Sequence, residues 1–227
     1  MAPLLHVDGL VKRYTRGWTA REVSFELRAD FRIEAPAIVG VLGANGAGKT
    51  TLFELITGGN VPTEGCVRVA GQDIHRVRYA ERGRLALHYH QSYQLRHFHR
   101  TRPNVLLEAA VRREAVVHLF DEPQFNTQDG YIGFMLDFFR QLRDTGHLVF
   151  LCLHPNEPVH LQILDQTCDR YFFAQKDAAR VSRLHAAASM QELLALPGVR
   201  GYLGRLVDPE PTGGQAGASP NDQETTP

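Results

Sequence analysis

The sequence predicts an α/β fold: a central, mostly parallel sheet flanked by helices, with an antiparallel β unit at its N-terminal end. Three observations predict it. The apolar run Ala37-Ile38-Val39-Gly40-Val41-Leu42 passes directly into a glycine-rich loop and then into a helix-like segment, Thr51 to Thr57. Ala115–Phe120 and His147–Leu153 are continuous apolar runs, the pattern of strands buried on both faces of a parallel sheet. Near the N-terminus, Leu5–Asp8 alternates weakly and Val23–Leu27 cleanly, which reads as two strands around a turn.

The loop between the first apolar run and its helix is Gly43-Ala44-Asn45-Gly46-Ala47-Gly48-Lys49-Thr50-Thr51. Strand, loop and helix together give G-x-x-x-x-G-K-[ST] the context it requires, and predict a P-loop NTPase. Glycines let successive backbone N–H groups converge on phosphate oxygens without side-chain clash. The helix N-terminus adds partial positive charge at the same point. Lys49 is then placed to reach β- and γ-phosphates, and the Thr50 hydroxyl to ligate Mg²⁺. A nucleotide phosphate and Mg²⁺ are therefore the expected ligands, and ATP is the nucleotide that the resemblance described below implies.

Composition bounds the remaining classes. The chain has 227 residues, enough for one domain with a sizeable core. With 25 basic and 25 acidic residues the formal net charge is zero, so no global charge favours nucleic acid. No apolar run approaches the ~18 residues of a membrane span. Met1-Ala2-Pro3-Leu4-Leu5-His6 lacks the charged and apolar regions of a signal peptide. Cys66, Cys152 and Cys168 are scattered without a C-x-x-C, which suits a reducing cytosol.

The other elements follow in order. Tyr14 lies in the loop predicted between the first two strands, upstream of the phosphate loop, and can either stack on a purine or pack half-buried. Pro62-Thr63-Glu64-Gly65 is a turn, and Cys66–Gly71 an alternating strand. Leu85–Gln91 reads as a strand. Pro103–Glu114 suits an amphipathic helix entered by a proline. The run Ala115–Phe120 delivers Asp121-Glu122-Pro123 at its C-terminal end, where open α/β sheets place their ligand crevice. Asp121 is a candidate for Mg²⁺ and Glu122 for polarising the attacking water. Ile132, Met135, Leu136, Phe139 and Leu142 have helical spacing, closed by Gly146. His147–Leu153 ends in His154-Pro155. Two short strands flank Lys176–Ala179, and Met190–Leu196 is a helix stopped by Pro197-Gly198. From Asp208 the chain is rich in Pro, Gly, Ser and Thr, and reads as a disordered tail over 208–227.

"GANGAGKTTLFELITGG", then "PTEGCVRVAGQDI", with "LLHVDGLVKRYTRGWTAREVSFEL" before them, resembles the nucleotide-binding subunits of ATP-binding cassette (ABC) proteins. The resemblance covers most of residues 4 to 185. It implies that Tyr14 is the A-loop aromatic and Gln91 the Q-loop glutamine, touching Mg²⁺ and the attacking water. It implies a metal set of Thr50, Gln91 and Asp121. It further implies that Glu122 and His154 act with Lys49 in catalysis, His154 bonding the γ-phosphate as the H-loop histidine.

The chain also departs from the pattern. Asp121 follows Gln91 by thirty positions, too few for the usual helical subdomain, which is truncated around 92–104 of a single ABC-type domain spanning 1–207. No L-S-G-G-Q occurs, and His97-Phe98-His99-Arg100-Thr101 stands in its place. "EPQFNTQD" sets the D-loop aspartate, Asp129, one place late. The expected function is an ATP-binding, ATP-hydrolysing subunit that energises a membrane transporter from its cytoplasmic face, weakly active alone. Its partner is a permease, with a homodimer or a heterodimer with a complete ABC subunit both open. Two alternatives are a slow nucleotide switch and a non-transport ATPase acting on nucleic acid or the ribosome, for which the arginines between Arg76 and Arg102 would serve. His88, His90, His97 and His99 form an H-x-H pair of pairs that reads as a polar loop or a Zn²⁺ site.

Overall fold

The structure is a computed structural model that describes residues 2–17, 22–90, 115–123 and 131–207. Expectations for Gln91, His97, His99, the Pro103–Glu114 helix, Asp129 and the tail lie outside the described residues.

Two long strands, β1 (Leu5–Arg16) and β2 (Glu22–Ile33), pair antiparallel. They reach well beyond the four- and five-residue strands that alternation predicts. The reason is a register shift between Val7 and Leu10, where Gly9 takes φ +50°. A shift of this kind breaks the period-two pattern without ending the strand. On its other side β1 meets β4 (Glu64–Val69), so closely that a Cβ on Gly65 would lie 2.3 Å from the Gly9 carbonyl oxygen. Tyr14 is therefore a strand residue, registered opposite Phe25, rather than the loop residue that the sequence predicts.

The phosphate loop joins β3 (Ala37–Gly43), whose residues are all buried, to helix α1 (Lys49–Ile56). Beyond β4 come β5 (Gln72–Asp73), the short helix α2 (Tyr79–Arg82) and β6 (Ala86–His90). Then follow β7 (Val117–Asp121), α3 (Tyr131–Asp144), β8 (Leu148–Cys152) and α4 (Pro158–Thr167). A hairpin of β9 (Arg170–Lys176) and β10 (Val181–Ala187) leads to α5 (Met190–Ala195) and α6 (Val199–Leu203).

The described strands form one sheet in the order β5-β4-β1-β2-β10-β9-β3-β8-β7-β6. From β9 to β6 all neighbours run parallel, as the unbroken apolar runs predict. The antiparallel unit at the N-terminus is continuous with this part through β10, which pairs parallel with β2 and antiparallel with β9. Helix α3 buries Met135, Leu136, Phe138, Phe139 and Leu142 in a cluster with Ile38, Phe120, Val149 and Leu151 of the strands. On the other side Leu5, Leu27, Val39, Val41, Leu52, Phe53 and Phe150 join a larger core under α1. Among the described residues no helix is long and apolar enough to cross a membrane.

Candidate functional site: a phosphate-loop pocket

The P-loop takes its shape from glycine. Gly43, Gly46 and Gly48 have φ of +146°, +74° and +88°, which side-chain-bearing residues rarely adopt. Gly48 also has no room for a Cβ, which would sit 2.8 Å from Cζ of Phe25. Ser182 of β10, fully buried, donates its hydroxyl to the Ala47 carbonyl and braces the loop from the far hairpin.

Lys49 is 7% exposed, and its ammonium donates to the carbonyls of Gly43 at 2.6 Å and Ala44 at 3.1 Å. A desolvated ammonium held only by neutral carbonyls is poised to exchange them for a stronger anionic acceptor. The Thr50 hydroxyl donates to Asp121 Oδ2 at 2.8 Å, tying the start of α1 to the end of β7. His88 Nε2 lies 3.4 Å from the same oxygen. Burial alone would raise the Asp121 pKa, but hydrogen bonds from His88, Thr50 and Cys152 outweigh it and hold the carboxyl below its usual range. The carboxylate stays charged at neutral pH, as a cation ligand must.

Glu122 is exposed and has φ +51°, one of three non-glycine residues in that region among those described. Its backbone N–H donates to the Cys152 carbonyl at 2.9 Å, so the β7–β8 ladder fixes this unusual turn. A left-handed backbone on glutamate costs about 1–3 kcal/mol, and such costs cluster where a side chain must be aimed.

Lys49, Thr50, Asp121 and Glu122 line one pocket of about 620 Å³ together with Asn45, Gly46, Gly48 and Thr51. Its remaining wall is Arg16, Ser24, Phe25, Lys176 and Arg180. The sequence reading had missed these five. They arrive from β1, β2 and the β9–β10 turn, and only the β2–β10 pairing, with Val181 opposite Glu26, brings them to the loop. Tyr14 lies outside this lining. Its hydroxyl accepts from Asn60 at 2.8 Å, the Lys12 ammonium sits 5.2 Å from its ring centre, and Phe25, 6.1 Å away, occupies the pocket side. His154 also lies outside the lining, with Nδ1 held 3.0 Å from the Tyr202 hydroxyl. Gly43, Ala44 and Ala47 shape the loop from behind. Among the described residues no group of three His, Cys, Asp or Glu is placed to hold a metal, so the described histidines form no such cluster.

The loop geometry and donor set fit a nucleoside triphosphate with a divalent cation: backbone N–H groups freed by glycine, one ammonium, one hydroxyl and one ionised carboxylate converge on the same space.

Comparison with known proteins agrees. Residues 27–136 match the family model described as ABC transporter. Over 83 residues the chain is 39% identical to the lipoprotein-releasing system ATP-binding protein LolD of Xylella fastidiosa (strain Temecula1 / ATCC 700964), covering 37% of this chain and 34% of that protein. Over 89 residues it is 36% identical to the lipopolysaccharide export system ATP-binding protein LptB of Acidithiobacillus ferridurans, covering 39% and 34% respectively. The chain thus spans about a third of the length of these curated relatives. Among solved structures, a bacterial Atm1-family ABC exporter with ATP bound superposes with a TM-score of 0.63 at 18% identity, over 89% of this chain and 42% of that one. CbiO1 from Clostridium perfringens, part of the ABC transporter complex cbiONQ, gives 0.58 at 14% identity over 89% and 95%. Residues 27–136 thus resemble the ABC transporter family, and the chain has the fold of ABC ATP-binding subunits.

Proposed function

We propose that this protein binds Mg·ATP at the β3–α1 loop and hydrolyses it as the peripheral, energising subunit of a membrane transporter. The observation that carries the reading is the meeting of Lys49, Thr50, Asp121 and Glu122 in one pocket on a glycine-shaped loop. The likeness to transporter ATP-binding subunits supports the transport role.

Each residue then has a role. Lys49 leaves the Gly43 and Ala44 carbonyls for the β- and γ-phosphate oxygens. Thr50 and Asp121, already hydrogen-bonded, hold the cation, with Gln91 as a third proposed ligand. A Mg²⁺ held by these residues would supply positive charge to offset the negative charge developing on the phosphates. Glu122, aimed by its backbone, accepts a proton from the attacking water. His154 donates to the γ-phosphate. Arg16, Lys176 and Arg180 add cationic charge along the same wall. The cytoplasmic face of a membrane is the location this role requires.

A second reading has one observation in its favour. His97-Phe98-His99-Arg100-Thr101 stands where ABC proteins carry L-S-G-G-Q, so a pair of identical copies would lack the γ-phosphate contact made across a dimer. That favours a slow nucleotide switch, or a heterodimer with a complete subunit. Steady-state ATP turnover separates these. The purified chain should be slow alone and accelerate by roughly tenfold or more when a complete ABC subunit supplies the missing donors. Rapid turnover alone, unchanged by Phe98→Ser, would contradict this account of the signature.

A further inference from the structure

The C-terminal helix α6 reaches back to the nucleotide loop. Its Val199 and Leu203 are buried with Leu42 of β3, Leu153 and Phe173, which fixes α6 over the end of the central strands. Between those anchors Tyr202 packs its ring 5.7 Å from Phe173 and 5.8 Å from the His154 imidazole. Its hydroxyl lies 3.0 Å from His154 Nδ1.

A phenol that keeps its proton can donate it to Nδ1, which then accepts. A neutral imidazole that accepts at Nδ1 carries its proton at Nε2. Burial pushes the Tyr202 pKa up to about 12, so the phenol keeps its proton across the physiological range.

We propose that Tyr202 is a positioning residue for phosphate recognition: its hydroxyl donates to His154 Nδ1 and holds that imidazole in the Nε2–H form, ready to donate to a terminal phosphate. The inference rests on the reading of His154 as the γ-phosphate contact.

The test combines a spectrum with a binding ratio. Long-range ¹H–¹⁵N spectra of histidine-labelled full-length protein, with His154 assigned by its absence in His154→Ala, should show the Nε2–H tautomer in the wild type. Tyr202→Phe keeps the packed ring and should give a mixture of tautomers. By calorimetry with Mg²⁺, Tyr202→Phe should lower the ATP-to-ADP affinity ratio about threefold to tenfold and leave ADP affinity unchanged. An Nδ1–H tautomer in the wild type, which needs no variant, overturns the proposal. So does an unchanged tautomer in Tyr202→Phe, or an equal loss of ATP and ADP affinity. His154→Ala separates the two layers. If it leaves the ratio unchanged, the γ-phosphate reading itself fails. If it lowers the ratio while Tyr202→Phe does not, only the coupling through Tyr202 fails.

Discussion

Glu122→Gln should lower ATP turnover by roughly 10²- to 10⁴-fold, the usual contribution of a positioned general base. Mg·ATP affinity should stay within about threefold, because glutamine keeps the shape and polarity of the side chain and removes only its basicity. The position of Glu122 makes the prediction specific. It follows the ionised Asp121 directly, it adopts φ +51°, and its N–H is locked to the Cys152 carbonyl at the end of the neighbouring strand. Asp121 is buried and tied to Thr50, whereas Glu122 is exposed in the pocket. On the proposed reading, the two adjacent carboxylates divide between cation and water. Turnover assays beside calorimetry check this. An unchanged rate would remove Glu122 from the chemistry, and lost binding would make it a ligand residue instead.

Stability should fall by about 3 kcal/mol as pH drops from 7 to 4, owing to His118. This histidine of β7 is completely buried, stacked against Tyr89 with its Nδ1 3.1 Å from the Tyr89 hydroxyl. Burial, and secondarily the charge of His147, lowers its pKa from 6.5 to about 4, against a smaller opposing hydrogen bond at Ala115. The folded protein holds it neutral, while the unfolded chain protonates near pH 6.5. The stabilisation is complete above 6.5 and is lost progressively as pH falls through about 4. Asp8, Glu26, Asp121 and Asp177 have lowered pKa values, so their contributions fade below their ordinary values, at more acid pH. Urea denaturation between pH 7 and 5 therefore isolates the onset of the histidine effect. His118→Phe, which preserves the aromatic stack with Tyr89 and Phe120, should flatten the slope there; an unchanged slope would assign it elsewhere.

The parts of the site written in contiguous residues were legible in the sequence. The P-loop and the acidic pair after an apolar strand each combine a strand pattern with its terminal residues. Local chemistry dictates them, and β3, β7 and β8 fall within a residue or two of their apolar runs. The β9–β10 hairpin and the start of α5 were likewise readable from turn and breaker residues. What was hidden depends on sheet order. Phe25, Arg16, Lys176 and Arg180 reach the pocket because β10 inserts between β2 and β9, a parallel pairing announced by no local periodicity. Tyr202 was missed for the same reason: α6 follows a Pro-Gly stop, and its partner His154 is distant in sequence. Tyr14 was misplaced because a register shift near Gly9 disguises the length of β1.

The most direct measurement is the affinity of the purified full-length protein for Mg·ATP, by calorimetry, in the wild type and in Lys49→Ala. Lys49 is held in the loop by two carbonyls that a phosphate outcompetes. The wild type should bind, and Lys49→Ala should weaken binding roughly tenfold to a hundredfold while thermal unfolding confirms an intact fold. Equal affinity in the variant, or no ATP binding by the wild type, would contradict the assignment of the β3–α1 loop as a nucleotide site.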